Sequence, residues 1–327
     1  MRARHGHLLQ SWAWGELKSH FGWIPERVQV DGAAVQILFR RLPLGKTIAY
    51  IPKGPPVDWN SAEQCHALFT AIHAAAKKRR AIFLKVEPDV VCQPDTPQAT
   101  AAGHILSQCG FTPADTIQPQ NSVVVDIRAD DDSILAAMKQ KTRYNIRLAQ
   151  RKGVTTRQGS EADLPVFYDL SSQTAARDGF GIHSEHYYEN AYRLFAPHHC
   201  ALLLAEFEGE PLAGLMAFCF GQTAYYFYGA SSNTHRNLMA TYLIQWAAIQ
   251  WAKNQGCTTY DLWGIPTADV GTLEAEFSNR NDGLWRVYRF KRGFGGHVVK
   301  SIGAYDYVYH LPLYRLYQLL RSRSKPA

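Results

Sequence analysis

The feature that most constrains this chain is a repeat. Residues 201–206 and 212–220 read as strands around the turn Glu208-Gly209-Glu210, and residues 223–230 make a third strand. A polar loop and a helix over about 236–255 follow, and residues 258–263 close the set. On that helix Met239, Tyr242, Leu243, Trp246 and Ile249 recur at helical spacing, and Gly256 is placed to end it. Residues 27–88 give the same order. Strands at 27–30 and 33–41 flank Asp31-Gly32, and a third lies at 46–51. The helix 61–80 carries Cys65, Leu68, Phe69, Ile72 and Ala76 on one face, and a strand at 81–86 closes the unit. One matching turn is easily accidental; seven elements in order are not. The chain is read as an internal duplication of an α/β unit, two domains with mixed sheets. The expected bounds are 1–128 with 303–327 packing back, and 129–302, with helices at 131–152 and 161–195 ahead of the second unit.

The net charge of +7 fits an anionic partner such as nucleic acid, a phosphorylated substrate or an anionic membrane. Six cysteines without a CxxC pair argue against a zinc ribbon or disulfide framework and fit a reducing cytosol. The basic N-terminus has no apolar core, so no signal peptide is expected. The uncharged run 211–234 is broken by Gly221-Gln222-Thr223 and reads as strands rather than a membrane helix. HExxH, GxSxG, Walker A and helix-opening GxGxxG motifs are absent. The polar cluster around Glu274 and Asp282 reads as an exposed loop.

Three further segments bear on chemistry. The stretch 131–152, read as one helix, spaces Lys139, Arg143, Arg147 and Arg151 four residues apart, with Lys141 beside them. Like charges at that spacing repel, and an anion would relieve them. "YRFKRGFGG" (288–296) sets Lys291 and Arg292 between Phe290 and Phe294, followed by glycines. Its local pattern fits either a β-hairpin with a basic tip or a substrate-handling turn. The tail from 309 places Leu313, Leu316, Tyr317 and Leu320 on one helical face before Arg321, Arg323 and Lys325. It would pack on the first domain or touch an anionic membrane surface.

The loop and helix 231–257 resemble the cofactor segment of the GNAT acyltransferases, but Arg236-Asn237-Leu238-Met239-Ala240 stands where that family has its glycine-rich pyrophosphate turn. That weighs against coenzyme A; pairs such as His198-His199 have no metal-ligand spacing, and no cofactor or metal is expected. "SWAWGELKSHFGW", "KQKTRYNIRLAQRKGV" and the run from "YYFYGASSNT" to "FKRGFGG" together resemble the FemABX peptidoglycan-bridge aminoacyltransferases, in order and over almost the whole chain. That resemblance implies two tandem GNAT-like domains, in a compact member without the coiled-coil insertion. It implies an enzyme that is cytoplasmic or peripheral at the inner membrane face, with two partners, aminoacyl-tRNA and a UDP- or lipid-linked muropeptide. It assigns Lys291 to the acyl ester and its oxyanion, and Lys18, with Trp14, to the precursor diphosphate. Arg177, Arg193 or Arg236 would join Lys18, with Asn237, Tyr228 and Phe294 lining the substrate. Lys139, Lys141, Arg143, Arg147 and Arg292 are the tRNA-binding candidates. Two other readings stay open: an acyl-CoA-dependent N-acyltransferase, and a non-catalytic protein binding RNA or a membrane surface.

Overall fold

The computed structural model describes residues 6–92 and 96–324. Lys325 and the Arg323 side chain, part of the basic tail, lie outside the described residues. The chain forms two compact units, Met1–Gln120 with Lys300–Ala327, and Asn121–Val299.

The first unit opens with α1 (Trp12–Ser19), capped by the Ser11 hydroxyl. Then come β1 (Trp23–Val30), β2 (Ala33–Arg41), β3 (Thr47–Ile51), α2 (Ala62–Lys78) and β4 (Ala81–Val86). α3 (Pro97–Gln108) and β5 (Thr112–Ala114) follow. The second unit runs β6 (Asn121–Asp126), α4 (Asp131–Ala137), α5 (Gln140–Arg151), β7 (Thr155–Gln158), α6 (Leu164–Asp178) and α7 (Glu185–Phe195). It continues with β8 (Cys200–Phe207), β9 (Glu210–Phe220), β10 (Thr223–Ser231), α8 (Ala240–Asn254) and β11 (Thr259–Ile265). α9 (Val270–Glu276), α10 (Trp285–Lys291) and β12 (His297–Lys300) end it, and β13 (Ala304–Val308) and α11 (Leu311–Ser324) return to the first unit.

The strand orders are β1-β2-β3-β4-β13-β5 and β12-β6-β11-β10-β9-β8-β7. In each unit a hairpin leads to a third strand, and a helical crossover then adds a parallel fourth: β3 with β4, β10 with β11. The two hairpin turns repeat as well. Asp31-Gly32 and Glu208-Gly209 all have positive φ, the backbone that joins two twisted strands through two residues. The molecule is thus two tandem GNAT-like domains of α/β class with mixed sheets. Strand β6 pairs with β11, so the second sheet begins before the junction read from sequence.

The first core gathers Phe39, Ile51, Trp59, Phe69, Ile72 and Leu84; the second gathers Val125, Ile146, Leu215, Leu243, Trp246 and Tyr260. Strand β13 lies between β4 and β5 and is held there by a buried ion pair, Lys85 Nζ to Asp306 Oδ1 at 2.8 Å. The Tyr314 hydroxyl also donates to Asp306, at 2.8 Å. Helix α11 lays Leu313, Tyr314 and Tyr317 on Ile48, Ile82 and Phe83. Leu316 and Leu320, expected on that face, point outward, because the tyrosines turn the helix so that their rings meet Phe83. Among the described residues no helix is long and apolar enough to cross a membrane, and the uncharged run lies in β9 and β10.

Candidate active site

Strands β10 and β11 run side by side only over Thr223–Tyr225 and Thr259–Asp261, and then part. Separating strands strand their backbone polar groups, which need new partners when buried. Here β11 turns. Trp263 has φ of +59°, and the register with β6 slips between Asp261 and Gly264. The Asp261 carboxylate accepts the Ser122 hydroxyl and the Trp263 N–H, the latter at 2.7 Å. With the strand bent this way, Lys291 Nζ donates to the carbonyls of Trp263 and Gly264 at 3.1 and 2.9 Å. From β10, the Tyr226 ring centroid lies 5.4 Å from the same nitrogen. Lys291 therefore stands in the fork between the parted strands.

The Lys291 side chain is almost fully buried. Burial lowers its pKa from 10.5 to about 7, against the opposing pull of Asp261. An ammonium has three N–H groups. Two reach carbonyls, and the third has no protein acceptor among the described residues. The neutral amine keeps two N–H groups and one lone pair, so the same two carbonyls satisfy it and leave the lone pair open.

The expected hairpin tip is not formed. Lys291 ends helix α10, whose Trp285 and Tyr288 are buried one turn apart, and Arg292–Phe294 tightens into a 3-10 turn. The glycines follow the helix and serve close packing. A Cβ on Gly296 would stand 2.6 Å from the Val124 carbonyl oxygen on β6. Phe294 belongs to the core, fully buried against Tyr242 and Phe290, and does not line a substrate surface.

Glu274, expected in a loop, lies on α9 and ties this segment down. It accepts from the Arg292 guanidinium (Nε at 2.9 Å) and from the Tyr288 hydroxyl at 2.6 Å, with Lys139 Nζ at 3.7 Å. Arg292, then Tyr288, hold its carboxyl down to about 2. Arg292 is largely covered, its guanidinium 3.7 Å from the Phe277 ring centroid, so this tRNA-binding candidate is engaged within the protein.

The single helix expected over 131–152 is broken at Met138 and Lys139, both extended, where the Lys139 N–H bonds the Gly293 carbonyl at 2.9 Å. Arg143 donates to the Ala136 and Met138 carbonyls and so closes the end of α4, leaving the expected stripe incomplete. Lys139, Lys141 and Arg147 remain exposed.

The start of α8 also differs. Arg236–Leu238 is a 3-10 turn, Met239 has φ of +58°, and the helix begins at Ala240. Arg236 and Asn237 are exposed there and line a cleft of about 480 Å³ with Ser232, Thr241 and Tyr242. Arg177 is held by the Ser231 carbonyl, Asn233 and Asp178, and Arg193 pairs with Glu161 at 2.8 Å. Tyr228 donates to the Tyr187 hydroxyl at 3.3 Å, and burial pushes its own hydroxyl well above the ordinary range. In the first unit, Lys18 Nζ lies 4.7 Å from the Trp14 ring centroid, and burial lowers it to about 8. The sequence does not mark Asp261, Tyr226 or Glu274 as site residues, and the bend at Trp263 that recruits Asp261 has no local sequence signal. Among the described residues no three His, Cys, Asp or Glu side chains converge to hold a metal ion.

The model of the FemAB family matches residues 1–210 and 206–322, so the chain belongs to that family. It is 26% identical to the Lipid II:glycine glycyltransferase of Staphylococcus aureus (strain USA300), over 99% of this chain and 93% of that protein. That alignment runs over 404 positions, more than the 327 residues here, so the relative carries inserted residues. The crystal structure of FemX superposes with a TM-score of 0.85 and 26% identity, covering 95% of this chain and 94% of that one. A tandem GNAT protein from the clavulanic acid biosynthesis pathway shares the fold, with a TM-score of 0.54 and 12% identity over 88% and 83% of the two chains.

Proposed function

We propose that this protein is an aminoacyltransferase that moves an amino acid from aminoacyl-tRNA to an amine on the stem peptide of a lipid- or UDP-linked peptidoglycan precursor. The observation that carries the reading is Lys291 in the strand fork, with one hydrogen-bonding position open, in a chain similar throughout to a Lipid II:glycine glycyltransferase. The chemistry is aminolysis of an ester. The acceptor amine attacks the ester carbonyl and a C–N bond forms. The amine's proton passes to the Lys291 lone pair. The resulting ammonium turns its third N–H toward the oxyanion, then returns the proton to the departing ribose oxygen as the C–O bond breaks. A pKa of about 7 suits a group that must both take and give a proton near neutrality.

In this reading Lys18, beside Trp14, meets the precursor diphosphate. Arg236 and Asn237, the exposed candidates at the α8 cleft, contact substrate, and Lys139, Lys141 and Arg147 follow the tRNA backbone. The enzyme works in the cytoplasm at the inner face of the membrane. The test is to incubate the protein with charged tRNA and a UDP- or lipid-linked muropeptide and weigh the product. A gain of one aminoacyl residue is expected. No gain with any aminoacyl-tRNA, alongside acetyl-CoA turnover on amines, overturns the reading.

A further inference from the structure

Helix α11 spends only part of its apolar surface on the fold. Leu313, Tyr314 and Tyr317 cover Ile48, Ile82 and Phe83. Leu311, Leu316, Leu319 and Leu320 stay 49%, 51%, 50% and 56% exposed. Leu316, Leu319 and Leu320 are three and four residues apart and so form one stripe. Leucines placed this way cost solubility unless something covers them, and a contiguous apolar patch marks a contact surface. The charges beside them are of one sign. From Leu311 to the end of the sequence there are Arg315, Arg321, Arg323 and Lys325, and no Asp or Glu.

A second segment of the same unit has the same character. Leu42 packs on the Ile48–Ile82–Phe83 cluster that α11 covers, and the loop it opens lifts Leu44 to 85% exposure. Leu44 adopts φ of +60°, an uncommon backbone for a residue with a Cβ, and its neighbours in the chain include Arg40, Arg41 and Lys46. Two elements meeting at one core cluster thus each expose leucine among cations. A water-facing surface has no use for the leucines, and a protein core has none for the arginines. The headgroup layer of a bilayer accepts both, taking leucine into the acyl boundary and cations against anionic lipid.

We propose that α11 and the loop around Leu44 form a docking surface for an anionic lipid bilayer. The contact is peripheral and reversible, since a few leucines and several cations give far less binding than a spanning helix. It is independent of the transfer reaction, so either reading can fail alone.

The experiment uses the full chain and co-sedimentation with vesicles. Vesicles containing phosphatidylglycerol should bind the protein, pure phosphatidylcholine vesicles should not, and added salt should weaken the binding. The variant Leu316→Gln/Leu319→Gln, which keeps helix-compatible residues, should bind at least about tenfold more weakly, as should Leu44→Ser. Both variants should retain wild-type circular dichroism and transfer to a water-soluble UDP-linked acceptor. Failure to bind the anionic vesicles, equal binding to both kinds, or undiminished binding by folded leucine variants overturns the proposal. A dimer in sedimentation that Leu316→Gln/Leu319→Gln abolishes would assign the leucines to a second copy instead. Loss of tRNA binding in the variants, with vesicle binding kept, would assign the surface to nucleic acid.

Discussion

At Lys291 a structural duty and a chemical one share a nitrogen. The two carbonyls it satisfies are those the parted strands would otherwise leave unmet, so replacing it disturbs both. Lys291→Ala should lower kcat at least about 100-fold, the usual scale for losing a proton-transferring group. Lys291→Arg tells more, because arginine keeps the positive charge but does not release its proton. It should be as inactive as Lys291→Ala; near-normal turnover would show that only the charge is needed. In the wild type, kcat/KM should rise as pH passes through about 7, where the amine becomes neutral. Stability has the same sign. The folded pKa lies below the unfolded value of 10.5, so between about 7 and 10.5 the unfolded chain binds more protons and stability grows with pH. Urea midpoints for wild type and Lys291→Met across that range check it, and the methionine variant should show a shallower slope, keeping only the part that the lowered Lys18 contributes above about 8. Lys18 has no such proton-transfer role in this reading. Lys18→Ala should raise KM for the precursor about tenfold and leave kcat nearly unchanged.

Among the elements, the repeated strand-turn-strand units and their amphipathic helices were legible because each is specified locally. Asp31-Gly32 and Glu208-Gly209 name their own turn type, and the faces of α2 and α8 name their own burial. The elements that sequence reading missed are set by distant partners. The break between α4 and α5 depends on the Gly293 carbonyl, which meets the Lys139 N–H. The helix ending at Lys291 looked like a hairpin tip because glycines follow it at once, and their packing against Thr142 and Val124 is visible only in three dimensions. Lys291 itself stood out through its motif, whereas the Asp261 bend that orients its acceptors did not. Glu274 follows the same logic. It acts through Arg292 and Tyr288 to hold α10, and is a positioning residue. Glu274→Gln should lower kcat about tenfold, with KM for both substrates little altered, while Glu274→Asp should recover part of the loss. An equal loss of thermal stability and activity in both variants would show a merely structural role. The Lys85–Asp306 pair fixes β13 more directly. Removing one partner leaves a buried charge, so Asp306→Ala should cost about 3–5 kcal/mol in urea unfolding. The double change Lys85→Met/Asp306→Leu should cost less.

Over the whole molecule, the duplication has been put to unequal use. Both units keep the hairpin, the crossover helix and the parallel pair, but the fork that holds Lys291 belongs to the second. The first unit has instead taken the end of the chain into its sheet, with β13 between β4 and β5. That insertion has a consequence for the order in which the protein can be made. Translation delivers every residue of the second unit before the strand that completes the first. When residue 299 has left the ribosome, β4 and β5 still lack the neighbour that separates and joins them, and Lys85 has no Asp306 to meet. The half synthesised first must therefore finish folding last. A released chain truncated after 299 should show protease protection over 121–299 and cleavage within 1–120, and protection of 1–120 should appear when the chain extends through β13 and α11.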